Sequence, residues 1–281
     1  MLPMNTGLIT DGGNLKMEDE LTSTKKSLGQ HWLSDESTLE DIVDLANITP
    51  QDSVLEIGPG LGSLTARLLN KTKNVVAVEF DTSLEAKLRA RFKDEPKPQL
   101  YFEDIRKFNL GLLPAKYKLV ANIPYYITNY LIRLISEASN PPSLAVLLIQ
   151  KEVADRLLAK PGNLSVLGII AQSYWQIEPG PIVGPEKFTP PPKVNSQVVK
   201  LTRLVRPRLP EGKEKEFIRL VRIGFAQKRK TVLNSLSGGL CLDRQKVQLM
   251  LESAGINPFS RPQELSIEDW LRLKIAQDNN T

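Results

Sequence analysis

Histidine and cysteine are almost missing from this 281-residue chain, which holds one of each, His31 and Cys241. An intrachain disulfide, a Cys/His zinc site and a cysteine-ligated iron–sulfur cluster all need more of these residues than that. A histidine-based hydrolytic triad would have to use His31, which stands between Gln30 and Trp32 with no evident partner. Long apolar stretches are absent as well: no run approaches the roughly 18 residues that a membrane-spanning helix requires. Catalysis must therefore rest on carboxylates, amides, aromatics, backbone groups or a bound cofactor, and no metal or membrane is expected. Residues 1–24 lack both the basic-then-apolar layout of a signal peptide and the Arg-rich layout of a transit peptide. They are expected to form a weakly ordered extension, and the protein to be cytoplasmic.

What the chain does contain is ordinary for a globular protein. Hydrophobic residues at 41% and charged residues at 25% exclude a wholly disordered chain, and the length suits about two domains or one large one. The net charge of +5 is unevenly placed: Lys200 to Lys230 holds eleven Lys/Arg against three Glu, a local +8. Such concentration is the electrostatic footprint of a polyanionic partner, or in a plainer reading a solvated basic face.

Short apolar strands alternate with helical patterns through the first two thirds of the chain. A helix is expected from Ser34, as N-cap, to about Ala46. Strands are expected at 53–57, 75–79, 99–102, 118–122 and 143–150, with helices after the glycine-rich turn and over 82–92, 128–136, 151–159 and 164–173. Two more strands, at 175–182 and 197–204, lack a helix between them and so can pair antiparallel. This pattern predicts an α/β fold, a mainly parallel sheet with helices on both faces. Arg206–Pro210 reads as a linker, and beyond it only helical patterns follow, interrupted at Gly238–Gly239 and near Asn257–Pro262. The expected division is an extension at 1–24, an α/β domain at 25–207 and a helical RNA-binding domain at 208–281.

Two constellations carry chemistry. In Glu56-Ile57-Gly58-Pro59-Gly60-Leu61-Gly62, glycines between a strand and a helix let the backbone turn tightly and approach a ligand at the carboxyl edge of the sheet. The G-x-G-x-G spacing departs from the dinucleotide fingerprint, which disfavours NAD. Glu79 closes the second strand, where a carboxylate can accept from both ribose hydroxyls, and Asp104 follows the third, placed for an adenine amine. A glycine loop with two acids suits an unphosphorylated nucleoside ligand such as S-adenosylmethionine. The second constellation, Asn122-Ile123-Pro124-Tyr125, ends the fourth strand. An amide oxygen and a backbone carbonyl that each accept one N–H bias an exocyclic adenine amine towards a nucleophilic shape, and Tyr125 can stack on the extruded base. Pyrimidine C5 methylation would need a cysteine nucleophile, and none is near.

With KKSLGQHWL, VLEIGPGLGSLT, VVAVEFD, EDIRKF, NIPYYIT, KFTPPPKVNS and GFAQKRKTVLNSL in this order, the chain resembles the ribosomal RNA adenine N6,N6-dimethyltransferases, specifically the small-subunit type. The resemblance implies a Rossmann-like class I methyltransferase sheet of seven strands with a small C-terminal all-helical domain. It also implies S-adenosylmethionine as cofactor, 16S rRNA in the small ribosomal subunit or its precursor as partner, and a monomer. The activity implied is dimethylation of two adjacent adenosines near the 3′ end of that RNA. Cofactor contacts would fall on His31, Leu33, Gly58, Gly60, Glu79, Asp104 and Asn122, and catalysis on Asn122, Pro124 and Tyr125. Tyr125 and Phe188 would stack on the target base, although Phe188 could equally pack in the core. Arg219, Arg222, Lys228 and Arg229 would meet RNA. Two alternatives stay open: an antibiotic-resistance methyltransferase acting on large-subunit (23S) rRNA, and a non-catalytic ribosome-assembly or transcription factor on the same fold.

Overall fold

The computed structural model describes residues 31–94, 96–227 and 229–279. The expected extension at 1–24, the segment 25–30 of the KKSLGQHWL stretch, and Lys228 lie outside them.

Seven strands form one sheet in the order β4-β3-β2-β5-β6-β9-β7. The strands are β2 (Ser53–Ile57), β3 (Asn74–Glu79), β4 (Gln99–Phe102), β5 (Lys118–Asn122), β6 (Leu144–Gln150), β7 (Trp175–Val183) and β9 (Ser196–Arg203). The first five pair parallel, and β9 pairs antiparallel with both β6 and β7. A parallel sheet needs apolar residues on both faces because crossover helices cover both. The nearly continuous apolar runs of β2, β5 and β6 meet that need, and most of their residues are buried. Edge strand β7 carries Pro179 and Pro181, which an edge tolerates, and its register shifts between Pro179 and Ile182.

The helices of this part are α1 (Glu36–Leu45), α2 (Ser63–Lys71), α3 (Glu85–Arg91), α4 (Thr128–Glu137), α5 (Lys151–Leu158) and α6 (Val166–Tyr174). The N-cap of α1 is Asp35 rather than Ser34: its carboxylate accepts from the Thr38 N–H at 2.9 Å and from Ser37 Oγ at 2.8 Å. The expected helix over 82–92 divides into a 3-10 turn at Thr82–Leu84 and α3.

Four more helices, α7 (Glu214–Phe225), α8 (Val232–Leu240), α9 (Arg244–Ser253) and α10 (Ile267–Asn279), complete the chain. The expected break at Gly238–Gly239 does not occur, because α8 runs through both residues and ends before the left-handed Cys241. Close packing explains the glycine. A Cβ on Gly239 would fall 2.2 Å from Ile223 Cγ2 of α7, so the two helices approach only because the side chain is absent. One cluster of buried side chains extends from the sheet through Ile169, Ile170 and Tyr174 of α6 to Phe217, Val221, Leu236 and Trp270 of these helices. A second cluster, on α1 and α2, includes Leu33 and Phe188.

A two-residue ladder absent from the sequence reading pairs β1 (Trp32–Leu33) with β8 (Phe188–Thr189), antiparallel, Leu33 opposite Phe188. It ties the start of the described chain to the proline-rich loop.

Candidate active site

The carboxyl ends of β2, β3 and β5 open onto a cleft whose lining includes His31, Trp32, Gly58, Gly60, Glu79, Asn122, Pro124, Tyr125, Tyr126 and Phe188. A flanking cleft adds Asp104, Ile105 and Arg106, and one on the other side adds Leu33, Glu56 and Ser63. All the residues expected to hold cofactor or act on substrate therefore converge on one edge of the sheet.

Left-handed glycines shape the turn after β2. Gly58, Gly60 and Gly62 have φ of +69°, +58° and +81°, values that side chains disfavour. A Cβ on Gly60 would lie 3.1 Å from Trp32 Cδ1, and one on Gly62 would lie 2.6 Å from the Phe92 ring. Glu79 braces this turn: its carboxylate accepts the Gly60 N–H at 3.0 Å and the Asp81 N–H at 2.8 Å. Burial raises its pKa above the ordinary carboxylate value despite those bonds. Each oxygen keeps acceptor capacity, so bracing the loop and receiving a ribose are compatible.

Glu56, on β2 two residues before Gly58, is 1% exposed, and among the described residues its Oε2 has no hydrogen-bond partner. Burial pushes its pKa up to about 8, with the nearby Glu79 carboxylate adding to the rise. Trp32 Nε1, in the same cleft, is likewise buried without an acceptor among the described residues. Asp104 is engaged by Arg106, whose Nε approaches its two oxygens at 2.9 and 2.7 Å, and this pairing holds its pKa below the usual value.

At the end of β5, Asn122 donates from Nδ2 to the His31 carbonyl at 3.2 Å. That bond fixes the orientation of the amide, and among the described residues no donor reaches its Oδ1. The Pro124 carbonyl already accepts the Ile127 N–H at 3.2 Å, closing the 3-10 turn at Tyr125–Ile127, and keeps a second lone pair. Tyr125 is held at both ends. Its hydroxyl lies 2.8 Å from Ser196 Oγ, and its ring stacks on His31 with centroids 5.7 Å apart and planes 28° apart. His31 is anchored in turn, its Nδ1 lying 2.7 Å from the Pro190 carbonyl. The imidazole thus joins the proline-rich loop to the Asn122–Tyr125 loop. Phe188 is 3% exposed and packs in the α1–α2 core, and it is also among the residues that line the cleft.

Sequence reasoning missed Trp32, Ser196 and Tyr126. Nothing local marks Ser196, which reaches Tyr125 only across the sheet. Trp32 could have been found, since an indole inside the KKSLGQHWL segment adds a polar donor next to two expected contacts.

A model of the ribosomal RNA adenine dimethylases matches residues 21–278. The chain belongs to this family. It is 38% identical over 269 residues to ribosomal RNA small subunit methyltransferase A of Dehalococcoides mccartyi strain CBDB1, covering 94% of this chain and 92% of that relative. The protein of the same name from Clostridium botulinum strain Loch Maree is 42% identical over 254 residues, covering 88% and 92%. Among solved structures, a dimethyladenosine transferase from Plasmodium falciparum superposes with a TM-score of 0.76 at 29% identity, covering 89% of this chain and 98% of the other. The 23S rRNA methyltransferase ErmE gives 0.70 at 27%, covering 88% and 99%. The protein is thus an S-adenosylmethionine-dependent rRNA adenine dimethyltransferase, and its partner is RNA. Among the described residues no helix is long and apolar enough to cross a membrane.

The cleft fits the methyl donor of this family. Its glycine turn offers backbone without side chains, Glu79 and Asp104 present carboxylates, and the orphaned Trp32 Nε1 and Glu56 Oε2 are one donor and one acceptor. A zwitterionic amino-acid group carries the matching acceptor and donor. No group of three or more His, Cys, Asp or Glu residues able to hold a metal occurs among the described residues.

Proposed function

We propose that the protein dimethylates N6 of two adjacent adenosines in a hairpin loop near the 3′ end of 16S rRNA, as a monomer acting in the cytoplasm on the small ribosomal subunit or its precursor. The relatives at 38% and 42% identity, both named for the small subunit, favour this substrate over 23S rRNA. The division into an α/β catalytic part at 25–207 and a helical RNA-binding part at 208–281 belongs to the same reading.

One observation carries the catalytic assignment: the Asn122 amide is fixed through Nδ2 to the His31 carbonyl, which leaves Oδ1 as an acceptor beside Pro124 and Tyr125. His31, Leu33, Gly58, Gly60, Glu79, Asp104 and Asn122 would hold S-adenosylmethionine, which supplies an electrophilic methyl group on sulfonium sulfur. Asn122 Oδ1 and the Pro124 carbonyl accept the two N6 hydrogens and hold the nitrogen lone pair out of conjugation with the ring. Tyr125, braced by His31 and Ser196, stacks on the base with its remaining face, and Phe188 closes the far wall. No basic side chain is needed, because an adenine amine that has gained a methyl group releases its proton readily to water.

The RNA surface is the outer face of α7 and the loop after it. Arg219, Arg222 and Arg229 are exposed and form no ion pair among the described residues, whereas Phe217, Leu220 and Val221 on the inner face are buried.

Asn122→Ala tests the catalytic assignment. Single-turnover methyl transfer on small ribosomal subunits should fall by about 10²–10³, the cost of losing one preorganised electrostatic contact in a transition state. Subunit affinity should change far less. A variant that loses affinity and keeps its rate would make Asn122 a substrate-positioning residue only.

A further inference from the structure

The catalytic tyrosine is followed by a second one with no part in the scheme above, and the structure sets it in an unusual row. Tyr126 is 59% exposed and Tyr130 is 42% exposed, among the largest apolar side chains open to solvent. They stand four residues apart where the 3-10 turn at Tyr125–Ile127 runs into α4, so they share one side of the helix while Thr128, Leu131 and Ile132 face the core. One further turn along that side comes exposed Arg133, which meets Glu137 at only 3.5 Å. Arg106, on the neighbouring loop, lines the flanking cleft together with Tyr126, its guanidinium held by Asp104.

Aromatic rings interleaved with arginines suit single-stranded nucleic acid: bases stack on the rings and phosphates meet the guanidinium groups. Position selects the occupant. Tyr126 lines the catalytic cleft next to Tyr125, so the row starts at the rim of the pocket and leads away from it. An RNA base swung into that pocket leaves its neighbours unpaired at the rim.

We propose that Tyr126 and Tyr130, flanked by Arg106 and Arg133, form a stacking shelf for the single-stranded nucleotides next to the target adenosine. The proposal rests on the reading that the substrate is RNA whose adenosine is extruded. An enzyme that modifies two adjacent adenosines has to seat one while the other reacts, and the shelf provides that seat. Tyr130 lines neither cleft that contains Tyr126, so its contribution is separable from that of the cofactor.

The probe is a short single-stranded oligoadenylate carrying one 2-aminopurine, titrated into the full chain saturated with S-adenosylhomocysteine so that no methyl is transferred. Stacking on a tyrosine quenches the 2-aminopurine. Tyr126→Ala and Tyr130→Ala should each weaken binding by about five- to a hundredfold and reduce the quench, in line with the measured worth of one base–aromatic stack. Tyr130→Phe should bind as the wild type does. Calorimetry should show unchanged S-adenosylhomocysteine affinity for Tyr130→Ala, and its melting temperature should not move. Equal oligoadenylate affinity in wild type and both alanine variants would overturn the shelf, as would a wild type that does not bind the probe. Mapping of methylated adenosines in small subunits separates this from the substrate reading. If the wild type modifies them and the alanine variants bind normally, only the shelf falls. If the wild type leaves them unmodified and the variants still lose binding, the shelf stands and the substrate is another RNA.

Discussion

Two buried ionisable side chains show how differently the two ends of this molecule are built. Lys274, on α10, is 2% exposed and lies 2.8 Å from Glu216 of α7, with Asp278 as a second partner that also meets Lys213. Burial alone would lower its pKa, but the two carboxylates outweigh burial and raise it. Glu56, beneath the glycine turn, forms no ion pair among the described residues, and its burial keeps it protonated to about pH 8. A buried charge with its partners supplied internally fastens two helices together. A buried carboxyl with an orphaned oxygen beside an open cleft points instead to a partner from outside. The cation buried at the helical end is paired internally, whereas the carboxyl beneath the cleft keeps an unpaired oxygen.

Breaking the internal set should produce the largest effect. Asp278→Ala leaves Lys274 with a single partner and should destabilise the protein by about 3 kcal/mol, measured by denaturant unfolding. The pH dependence follows from the lowered Asp278 pKa, which its bonds to Lys213 and Lys274 cause. Its stability contribution is complete above the ordinary value of 3.8 and is lost as the pH falls further, so the variant should lose this acid sensitivity. An unfolding curve identical to that of the wild type would remove the contrast between the two ends.

Glu79→Ala tests the other end. It removes the acceptor of the Gly60 N–H along with the proposed ribose contact, and should weaken S-adenosylmethionine binding by about 1–3 kcal/mol in calorimetric titration. Equal affinities would take Glu79 out of the site.

Glu56→Gln sharpens the comparison by changing sign. A carboxyl whose folded pKa is raised binds its proton more tightly in the folded state, so stability falls as the pH rises from about 4.5 to about 8. The amide cannot ionise, so above neutral pH the variant should be more stable by on the order of 1–2 kcal/mol, with a flatter pH profile. Cofactor affinity should drop in the same variant, because an incoming ammonium group favours the ionised carboxylate and the amide cannot ionise. Gain in stability without loss of affinity would make Glu56 a purely structural residue.

The smallest effect is expected on the outer face of α7. Neutralising Arg219, Arg222 or Arg229 should lower the slope of log K against log salt by somewhat less than one per contact, for small subunits and unrelated RNA alike. Melting should be unaffected. An unchanged slope for all three would make this a solvated face.

Much of this arrangement is legible in the chain. The strands at 53–57 and 118–122 have the expected bounds because a buried parallel strand needs an apolar run that a turn signal ends, and the edge strand at 99–102 has them too. Asn122–Tyr125 and Gly58–Gly62 stand next to such ends, so their placement at the sheet edge follows from local sequence. The Gly238–Gly239 pair misled because glycine reads locally as a breaker, whereas here it admits Ile223 of a neighbouring helix. Ser34 and Asp35 are both able to accept a first-turn N–H by residue type, and only the fold places the Asp35 carboxylate on Thr38.

By itself the sequence determined the layer order, the apolar strands, the glycine turn and the residue types at the carboxyl edge, since each depends on neighbours a few positions away. Tertiary structure alone decided that Ser196 holds the Tyr125 hydroxyl, that His31 braces both that ring and the Pro190 loop, and that Arg106 and Tyr126 line one cleft. Those contacts depend on crossings of the sheet and on side-chain directions at the ends of different strands, and no local spacing encodes either.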